Sequence, residues 1–351
     1  MALRKKDHLI GLDIGSRTIK AGEVAETKKG RKLKKFGVIE IAPGVIEDGS
    51  IKDHEAAAEA IRELFRTYNI KDQNVAISIG GYSVIVKKIN MQTMTEEQLH
   101  DTIHFEAEQY IPFDIADVNL DFQILGKSDN NPNQMNVLLV AAKKEMVNDY
   151  VNLVQEAKLN PCVIDVDAFA LQNVFELNYS AKDENIALID IGASKTSLNI
   201  LKENASVFMR DVSLGCGQIN QKIASRIGCS LEEAEQIKYG GQSDRMPAET
   251  LNEIVVSVVS DWCIEIRRAL DFFYSTYPDD QIKRIILSGG GANIKPFRQM
   301  LSTETSAEVE TINPFHMVEI EEDTFDSAYL ERVAPQAAIC MGLAIRRVND
   351  K

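Results

Sequence analysis

Short apolar runs that end in an aspartate and a glycine occur twice along the chain. One lies in His8–Glu23 (H-L-I-G-L-D-I-G-S-R-T-I-K-A-G-E) and ends at Asp13. The other lies in Ile186–Ile200 (I-A-L-I-D-I-G-A-S-K-T-S-L-N-I) and ends at Asp190. A continuous apolar run predicts a buried strand, and the glycine after each aspartate predicts a tight turn into a second strand. An internal repeat separated by most of the chain predicts two related domains that face each other.

A third apolar run, within Lys283–Ile294 (K-R-I-I-L-S-G-G-G-A-N-I), ends in three consecutive glycines. Because glycine carries no side chain, a flat base or a ribose could lie directly against this backbone. The triplet alone is a weak signal, and it gains meaning from the two aspartate turns.

The region between the two turns changes its pattern partway. A predicted strand over Asn74–Ile79 leads to Gly80 and Gly81, which mark a boundary. Beyond it, the pattern predicts a strand, a polar helix, two strands around a turn cluster, and a helix over Lys144–Ala157. We therefore predict an inserted α+β module over residues 82–162.

The second half of the chain predicts several helices. Apolar residues at steps of three and four over Leu251–Tyr274 predict a helix that is buried on one face. The last helix is predicted over Pro335–Val348. Within Leu231–Gly241, Glu235 and Lys238 lie one helical turn apart, so they could face one ligand or form a surface ion pair.

Composition limits the classes of protein to consider. With 351 residues and 44% hydrophobic content, the chain is long enough for two core-forming domains. A formal charge of -14, from 39 basic and 53 acidic residues, argues against a nucleic-acid surface. No apolar run approaches the roughly 20 residues that span a bilayer, and the first residues do not form a signal peptide. We expect a cytoplasmic protein without a membrane span, whose five cysteines are free thiols.

Two charged segments leave alternatives open. The stretch Thr27–Lys35 (T-K-K-G-R-K-L-K-K) predicts a basic hairpin, which could contact anionic lipid headgroups or an acidic partner, or could simply be solvated. On the polar helix, His100 and His104 lie at i and i+4 near Glu97 and Glu108. That spacing could bind a metal, and an ordinary polar helix face is the alternative.

The residues of the two turns are suited to a polyphosphate. A glycine in a tight turn lets backbone N–H groups point at a phosphate, and an aspartate at the end of a strand can hold a hydrated Mg²⁺. Asp13 and Asp190 are therefore the candidates to hold Mg²⁺ through water, with one turn on each side of the ligand.

Together, the two D-x-G turns and the later S-G-G-G-A resemble the phosphate-1, phosphate-2 and adenosine motifs of the actin, Hsp70 and sugar-kinase superfamily. The resemblance implies ATP and Mg²⁺ as ligands, with Lys20 as the phosphate-contacting lysine of the first turn. By the same resemblance, Glu235 would contact ribose hydroxyls and Lys238 the base region. The implied nucleotide-binding residues are Asp13, Gly15, Ser16, Arg17, Thr18, Lys20, Asp190, Gly192, Ser194, Lys195, Thr196, Gly215, Gly217, Glu235, Lys238, Gly289, Gly290, Gly291 and Ala292.

The inserted module indicates which family of the superfamily the chain resembles. Its segments E-A-E-Q-Y-I-P-F-D and V-N-L-D-F-Q-I-L, with Ile164–Leu171 and Gln336–Ala344, are similar to the PilM family of type IV pilus assembly proteins. The module also resembles subdomain 1C of the division protein FtsA. The implied fold is α/β, with duplicated actin-like (ribonuclease H-like) domains flanking a nucleotide cleft and an inserted 1C subdomain. The implied divisions are residues 1–81 and 163–188 for domain 1A, 82–162 for 1C, 189–334 for domain 2A/2B, and 335–351 for a helix that returns to the first domain.

Three functions are compatible with this fold. The resemblance implies an ATP-binding scaffold of the pilus machinery, and the alternatives are an FtsA-like filament protein and a small-molecule kinase. We expect no amphipathic tail helix of the FtsA kind and find no kinase-like substrate pocket, which favours the scaffold, as a monomer or weak assembly. Asp167 falls where ATPases of the superfamily orient the attacking water, although it could equally be the N-cap of a helix. Ser194 and Lys195 replace small glycines in the second turn, so we expect slow hydrolysis or none.

The resemblance also implies a partner. The N-terminal cytoplasmic segment of the inner-membrane protein PilN would lie in a groove between the first domain and the module, and other inner-membrane pilus components would follow. The predicted edge strands Val84–Ile89 and Val118–Leu125 would supply backbone pairing, and Ile111, Pro112 and Phe113 would supply apolar contacts. Alternatively, the last three residues fill the module's own core. We expect a location peripheral to the inner membrane through this partner.

Overall fold

A computed structural model describes residues 8–128, 131–179, 184–240, 245–321 and 323–348. The strands are β1 (Ile10–Ile14), β2 (Thr18–Thr27), β3 (Gly30–Glu40), β4 (Ile46–Glu47), β5 (Ser50–Ile51), β6 (Asn74–Ile79), β7 (Val84–Gln92), β8 (Val118–Lys127), β9 (Gln134–Lys143), β10 (Asn160–Val166), β11 (Asn185–Ile191), β12 (Thr196–Lys202), β13 (Ala205–Val212), β14 (Ile282–Ser288), β15 (Glu308–Thr311) and β16 (Val318–Glu319). The helices are α1 (His54–Thr67), α2 (Glu96–Ala107), α3 (Lys144–Glu156), α4 (Asp167–Asn178), α5 (Gly217–Ile227), α6 (Leu231–Lys238), α7 (Ala248–Thr276), α8 (Lys295–Thr305) and α9 (Ser327–Ala344).

Two sheets repeat one arrangement. The first has the order β10-β6-β1-β2-β3-β16 and the second the order β13-β12-β11-β14-β15. In each, the strand that carries an aspartate turn (β1 or β11) pairs antiparallel with the next strand and parallel with a later one (β6 or β14). The predicted duplication of an α/β unit is confirmed.

Helices cover both faces of each sheet. α4 and α9 share one buried core with residues of both sheets, so they form the layer between them. α1 and α3 pack on the outer face of the first sheet, and α5, α7 and α8 pack on the outer face of the second. Asp13 and Asp190, at the ends of β1 and β11, are thereby brought to one cleft.

The last helix begins earlier than the sequence predicts. α9 starts at Ser327, where the side chain of Asp326 accepts hydrogen bonds from the backbone N–H of Ala328 and Tyr329. The predicted start at Pro335 is wrong, because Pro335 lies inside the helix. Its carbonyl accepts a hydrogen bond from the N–H of Gly289 at 2.9 Å, which joins α9 to the glycine triplet.

Close approach of α9 to the first sheet depends on Gly11. A Cβ atom added there would overlap the carbonyl oxygen of Cys340 and the backbone nitrogen of Ala344. Only a residue without a side chain allows this helix to lie directly on β1. The layer between the two sheets is therefore set in part by one glycine.

The inserted module has a sheet of its own, with the order β7-β9-β8. α2 covers it and, together with β7, β8 and β9, encloses a separate apolar core. α3, which the sequence places in the same module, instead buries Tyr150, Leu153 and Val154 in the core of the first sheet. β7 lies beside β13 of the second sheet, and the Tyr82 hydroxyl lies 3.2 Å from Oγ of Ser213.

The predicted domain divisions meet continuous elements in two places. β10 belongs to the first sheet and begins at Asn160, before the predicted division at residue 163. β11 spans Asn185–Ile191 and so contains the predicted division between residues 188 and 189.

Candidate functional site

The two aspartate turns lie face to face in the cleft. Each is closed by one backbone hydrogen bond, from Gly15 N–H to the Thr18 carbonyl at 3.1 Å and from Gly192 N–H to the Lys195 carbonyl at 2.9 Å. Ser16 Oγ and Ser194 Oγ lie 3.0 Å apart, so the turns touch through their hydroxyl groups. The sequence repeat therefore produces one site and not two separate ones.

Burial and two neighbouring carboxylates make the ionisation of Asp190 unfavourable. Burial raises the pKa of its carboxyl to about 6, a hydrogen bond from Ser288 opposes the rise, and the charges of Asp13 and Asp167 add to it. Ser288 Oγ donates to Asp190 Oδ1 at 2.8 Å. A carboxylate whose ionisation is this unfavourable favours a nearby cation.

Asp13 has a buried lysine as its partner. Lys20 stands opposite Asp13 in the β1–β2 register, and its Nζ lies 2.9 Å from Asp13 Oδ2. Burial lowers the pKa of Lys20, but the adjacent carboxylate of Asp13 outweighs that effect and raises it overall. Lys20 is therefore a charged ammonium group inside the cleft.

Asp167 forms an ion pair across the cleft. Its Oδ2 lies 2.7 Å from Nζ of Lys195, in the second turn. Burial raises the pKa of Asp167, but Lys195 and a hydrogen bond from Ser78 together hold it below its usual value. The N-cap alternative is wrong, because Asp167 is the first residue of α4 and the cap position is Val166, without a side-chain cap.

Gly80 makes room for this pair. A Cβ atom added to Gly80 would overlap Asp167 Oδ2 and would lie 2.6 Å from Lys195 Nζ. The absence of a side chain at residue 80 thus lets Asp167 and Lys195 meet.

A second ion pair joins the first turn to α6. A guanidinium nitrogen of Arg17 contacts Glu235 Oε2, and the other donates to the Ile41 carbonyl at 2.7 Å. Lys238 Nζ lies 3.5 Å from Glu235 Oε1. The side chains of Glu235 and Lys238 are 16% and 10% exposed, so this i,i+3 pair lines the cleft and is not a surface pair.

The segment around Gly215 and Gly217 is fixed to the second turn. The N–H of Cys216 donates to the Gly192 carbonyl at 3.0 Å, and the N–H of Gly217 donates to the Ala193 carbonyl at 2.8 Å. A Cβ on Gly215 would lie 2.6 Å from that same Ala193 oxygen. These glycines allow the loop to approach the turn closely.

The three consecutive glycines, Gly289, Gly290 and Gly291, have different surroundings. Gly289 has a positive φ of 81°, and a Cβ there would overlap the Ile191 carbonyl. A Cβ on Gly291 would overlap the Ile191 side chain, whereas one on Gly290 would meet no atom within 4 Å. The outer glycines pack on β11, and the middle one leaves the open surface that a flat ligand group requires. Ala292, next in the chain, is buried.

The two threonines of the turns are placed differently. Thr196 is buried and its hydroxyl donates to the Leu214 carbonyl at 2.9 Å, so it supports the second turn from behind. Thr18 begins β2, and its carbonyl closes the first turn.

Three further residues of the site were not singled out by sequence. Ser78 forms a hydrogen bond with Asp167, and Ser288 forms one with Asp190. Gly80 leaves space for the ion pair between Asp167 and Lys195. Ser78 offered a signal, since it is the only hydroxyl in the apolar strand N-V-A-I-S-I. Ser288 directly precedes the glycine triplet, and Gly80 carried only the signal of a boundary.

The predicted partner residues have different surroundings. Ile111 is 5% exposed and belongs to the module's core. Pro112 is exposed, and Phe113 is partly buried, with Lys143 Nζ 4.5 Å from its ring centroid. β7 and β8 are the two edges of the module's sheet, and β7 faces β13, which leaves β8 as the edge on the other side.

The two remaining observations concern the possible metal site on the polar helix α2 and the possibility of a membrane-spanning helix. His100 and the adjacent Asp101 are about four-fifths exposed, and no group of three or more His, Cys, Asp or Glu positioned for a metal occurs among the described residues. No helix in the described part of the chain is long and apolar enough to cross a membrane.

Comparisons with known proteins agree with the fold. A family model described as type IV pilus assembly protein PilM matches residues 11–348. A chain of the PilM-PilN type IV pilus biogenesis complex is 27% identical, with 96% of this chain and 98% of that chain covered and a TM-score of 0.85. Ethanolamine utilization protein EutJ from Carboxydothermus hydrogenoformans is 15% identical over 98% of this chain and 91% of that one, with a TM-score of 0.60. MreB 5 of Spiroplasma citri bound to AMPPNP is 13% identical over 97% and 95%, with a TM-score of 0.51. The predicted family and the actin-like fold class are confirmed.

Proposed function

This chain belongs to the type IV pilus assembly protein PilM family, and from that premise we propose that it is a scaffold that binds Mg²⁺-ATP and the N-terminal cytoplasmic segment of PilN. The family and the fold make it an actin-like protein of type IV pilus assembly. Binding of the nucleotide and binding of the peptide are two separate proposals, and each has its own support and its own test.

Support for the nucleotide comes from the chemistry of the cleft. Lys20, Arg17 and Lys195 bring three cations to the two turns, which suits a polyphosphate. Asp13 and Asp190 lie on opposite turns, and carboxylate oxygens are ligands that suit Mg²⁺. Burial, and after it the charges of Asp13 and Asp167, raise the pKa of Asp190, so a bound cation would favour its ionised form. When bound, Mg²⁺ would offset the charge of the phosphate oxygens. The open side of Gly290 would receive the base or the ribose.

The single observation that carries the nucleotide proposal is the meeting of the two turns at Ser16 and Ser194. Calorimetric titration of Mg²⁺-ATP tests it, with wild type compared with Asp190→Ala. We expect a marked loss of affinity in the variant, because one of the two carboxylates that would hold the metal is removed. Unchanged affinity with Mg²⁺ present would contradict the proposed site.

Hydrolysis is proposed to be slow or absent. Asp167 is the candidate for orienting water, but its Oδ2 is held at 2.7 Å by Lys195, and a carboxylate held by an ammonium group is a weak base. We expect steady-state turnover far below about 10 per second, a typical enzyme value. Phosphate release measured at saturating Mg²⁺-ATP checks this, and turnover at that rate would require a kinase or motor function instead.

Support for the peptide comes from the similar structure and from the module. The chain of 27% identity belongs to a complex of PilM with PilN. Here β8 is an edge strand that can pair with an extended peptide, and Phe113 is a partly buried aromatic residue at the turn that precedes β8. We propose that the segment lies along the groove between the first domain and the module, with apolar contacts from Phe113 and its neighbours.

Titration with the PilN N-terminal peptide tests the groove. Phe113→Asp should weaken peptide binding strongly while Mg²⁺-ATP binding is unchanged. Phe105→Asp is the matched control, because Phe105 lies on α2 of the same module and is 75% exposed. Equal affinity for the peptide in wild type and in folded Phe113→Asp would place the partner on another surface.

A further inference from the structure

The hairpin that joins β2 and β3 carries a concentration of positive charge in a strongly acidic chain. We call residues 27–35 the basic hairpin, and its cationic residues are Lys28, Lys29, Arg31, Lys32, Lys34 and Lys35, in a protein of formal charge -14. Arg31 lies 3.9 Å from Glu26, and Lys32 contacts Glu321. Among the described residues, no carboxylate lies within 4.0 Å of the other four lysines.

The tip of the basic hairpin is a defined turn. Thr27 Oγ1 donates to the Gly30 carbonyl at 2.8 Å and accepts from the Lys29 N–H at 3.2 Å. Gly30 has a φ of 130°, which a residue with a side chain rarely adopts. Lys28 and Lys29 are exposed at this tip, so the turn presents two ammonium groups to the solvent.

The basic hairpin is remote from the cleft. β2 begins at Thr18, beside the first aspartate turn, and ends at Thr27, the start of the hairpin. Its 10 residues span about 33 Å at about 3.3 Å per residue. Charge at the tip can therefore be changed without touching the nucleotide site.

Exposed apolar side chains flank the basic hairpin. Met317, 60% exposed, immediately precedes Val318, which pairs with Arg31 in the sheet. Val348, 43% exposed, follows Arg347, which contacts Glu26 at the base of the hairpin. The surface thus combines free lysines with two exposed aliphatic side chains.

We propose that the basic hairpin, with Met317 and Val348 beside it, is a contact surface for the anionic headgroups of a lipid bilayer. Lysine is a hydrated point charge on a flexible stem and suits a diffuse anionic surface, whereas arginine suits a fixed carboxylate or phosphate. The free cations of the hairpin are all lysines, and the aliphatic side chains suit the headgroup layer.

Such a contact is weak by itself. Each lysine near an anionic membrane increases partitioning about fivefold, and a few such charges give reversible attachment. If the proposed PilN contact holds the protein near the bilayer, the same lysines act at high effective concentration. The lipid contact does not require that the nucleotide or peptide proposals hold.

Vesicle flotation of the full chain tests the proposal without nucleotide or peptide. We expect binding to phosphatidylcholine vesicles that contain phosphatidylglycerol and loss of that binding at high salt. Lys28→Gln/Lys29→Gln should reduce partitioning about 25-fold. Lys87→Gln/Lys88→Gln removes an equivalent exposed pair on β7 and should leave partitioning nearly unchanged.

Three results would overturn the proposal. One is equal binding of wild type to neutral and anionic vesicles, and another is equal loss in the two double variants. The third is binding to poly-glutamate but not to vesicles, where that binding is lost at high salt and in the hairpin variant. This result would mean that the partner of the basic hairpin is an acidic polypeptide and not a membrane. Calorimetry with Mg²⁺-ATP and with the peptide should be unaffected in the hairpin variant, so failure of the nucleotide or peptide proposals would be seen separately.

Discussion

Replacement of Lys195 by methionine should destabilise the protein through Asp167. The Lys195 ammonium lies 2.7 Å from Asp167 Oδ2, and the two side chains are 26% and 19% exposed. Methionine keeps most of the apolar stem of lysine and removes its charge. The substitution therefore leaves a largely buried carboxylate without its closest cation.

The magnitude follows from the burial of the pair. Removal of one partner from a fully buried ion pair costs about 3–5 kcal/mol, whereas an exposed pair contributes about 0–1 kcal/mol. The Lys195 side chain is about a quarter exposed and that of Asp167 about a fifth, and the Ser78 hydrogen bond is retained in the variant. We therefore expect the free energy of unfolding to fall by about 2 kcal/mol at pH 7.

The loss should depend on pH with a definite sign. Because the folded pKa of Asp167 is lowered, its contribution to stability is fully present above the unfolded pKa of about 4. It disappears as the pH falls through the folded value. The unfolded pKa is the same in both proteins, so the difference in free energy of unfolding between wild type and Lys195→Met depends on the two folded states. It should be largest near neutral pH and shrink in acid, as Asp167 becomes protonated first in the variant and then, at lower pH, in the wild type.

A double-mutant cycle in urea measures the pair directly. With Asp167→Asn as the second substitution, we expect a coupling energy of about 1.5–2 kcal/mol and an unchanged m-value. Lys202 and Asp280 form a control pair, because Lys202 Nζ is 2.9 Å from Asp280 but its side chain is 40% exposed, and their coupling should stay below about 1 kcal/mol. A coupling for Asp167 and Lys195 that is no larger than the control would refute the reasoning.

Three further predictions use positions in or near the cleft. Gly80→Ala should lower the free energy of unfolding by about 1–3 kcal/mol, since its Cβ would overlap Asp167. Gly290→Ala is the control, because no atom lies within 4 Å of a Cβ at that position. Equal urea midpoints for the two variants would contradict the steric argument. Gly11→Ala should lower the free energy of unfolding by at least about 3 kcal/mol, because the clash is with the backbone of α9. Gly22→Ala should be milder in the same assay, because its Cβ would meet only side-chain atoms of α9, the nearest being the Cys340 sulfur at 3.2 Å. Asp190→Asn should raise the unfolding temperature at pH 7.5 in the absence of nucleotide, since a folded pKa of about 6 means that ionisation of Asp190 opposes folding. That gain should shrink as the pH falls through about 6 and vanish at about pH 3, where the carboxyl of the wild type is mostly protonated in both the folded and the unfolded state. An unchanged unfolding temperature at pH 7.5 would show that the pKa is not raised.

The parts of the fold that were predictable depend on local pattern. An apolar run, an aspartate and a glycine specify strand and turn within a few residues, so the repeat of Asp13 and Asp190 was enough to predict two sheets and one cleft. The predicted start of α9 at Pro335 is wrong because the helix begins at Ser327, after the capping side chain of Asp326, and continues through the proline. The helical pattern of α3 predicted its apolar face, but it could not specify which of two cores would receive that face.

Helical spacing predicted that Glu235 and Lys238 could pair, but it could not predict the ion pairs between segments that lie far apart in the chain. Arg17 and Glu235 are 218 residues apart, and Asp167 and Lys195 are 28 apart on different sides of the cleft. Such pairs depend on how the two sheets face each other, which no short segment specifies. The motifs therefore predicted which residues would meet in the cleft, whereas the ion pairs between distant segments required the structure.

Those ion pairs connect the cleft to the relative position of the two sheets. The contacts Ser16 to Ser194, Arg17 to Glu235 and Lys195 to Asp167 each join one half of the molecule to the other, and they use the same side chains that are proposed to contact a nucleotide. A phosphate that attracts Arg17 or Lys195 must compete with the carboxylate that now holds it. A nucleotide bound in the cleft would therefore act on the same contacts that hold the two sheets together. β7 lies beside β13, so the module that carries the proposed peptide groove also contacts the second sheet. Any effect of nucleotide on peptide affinity must be matched by an equal effect of peptide on nucleotide affinity.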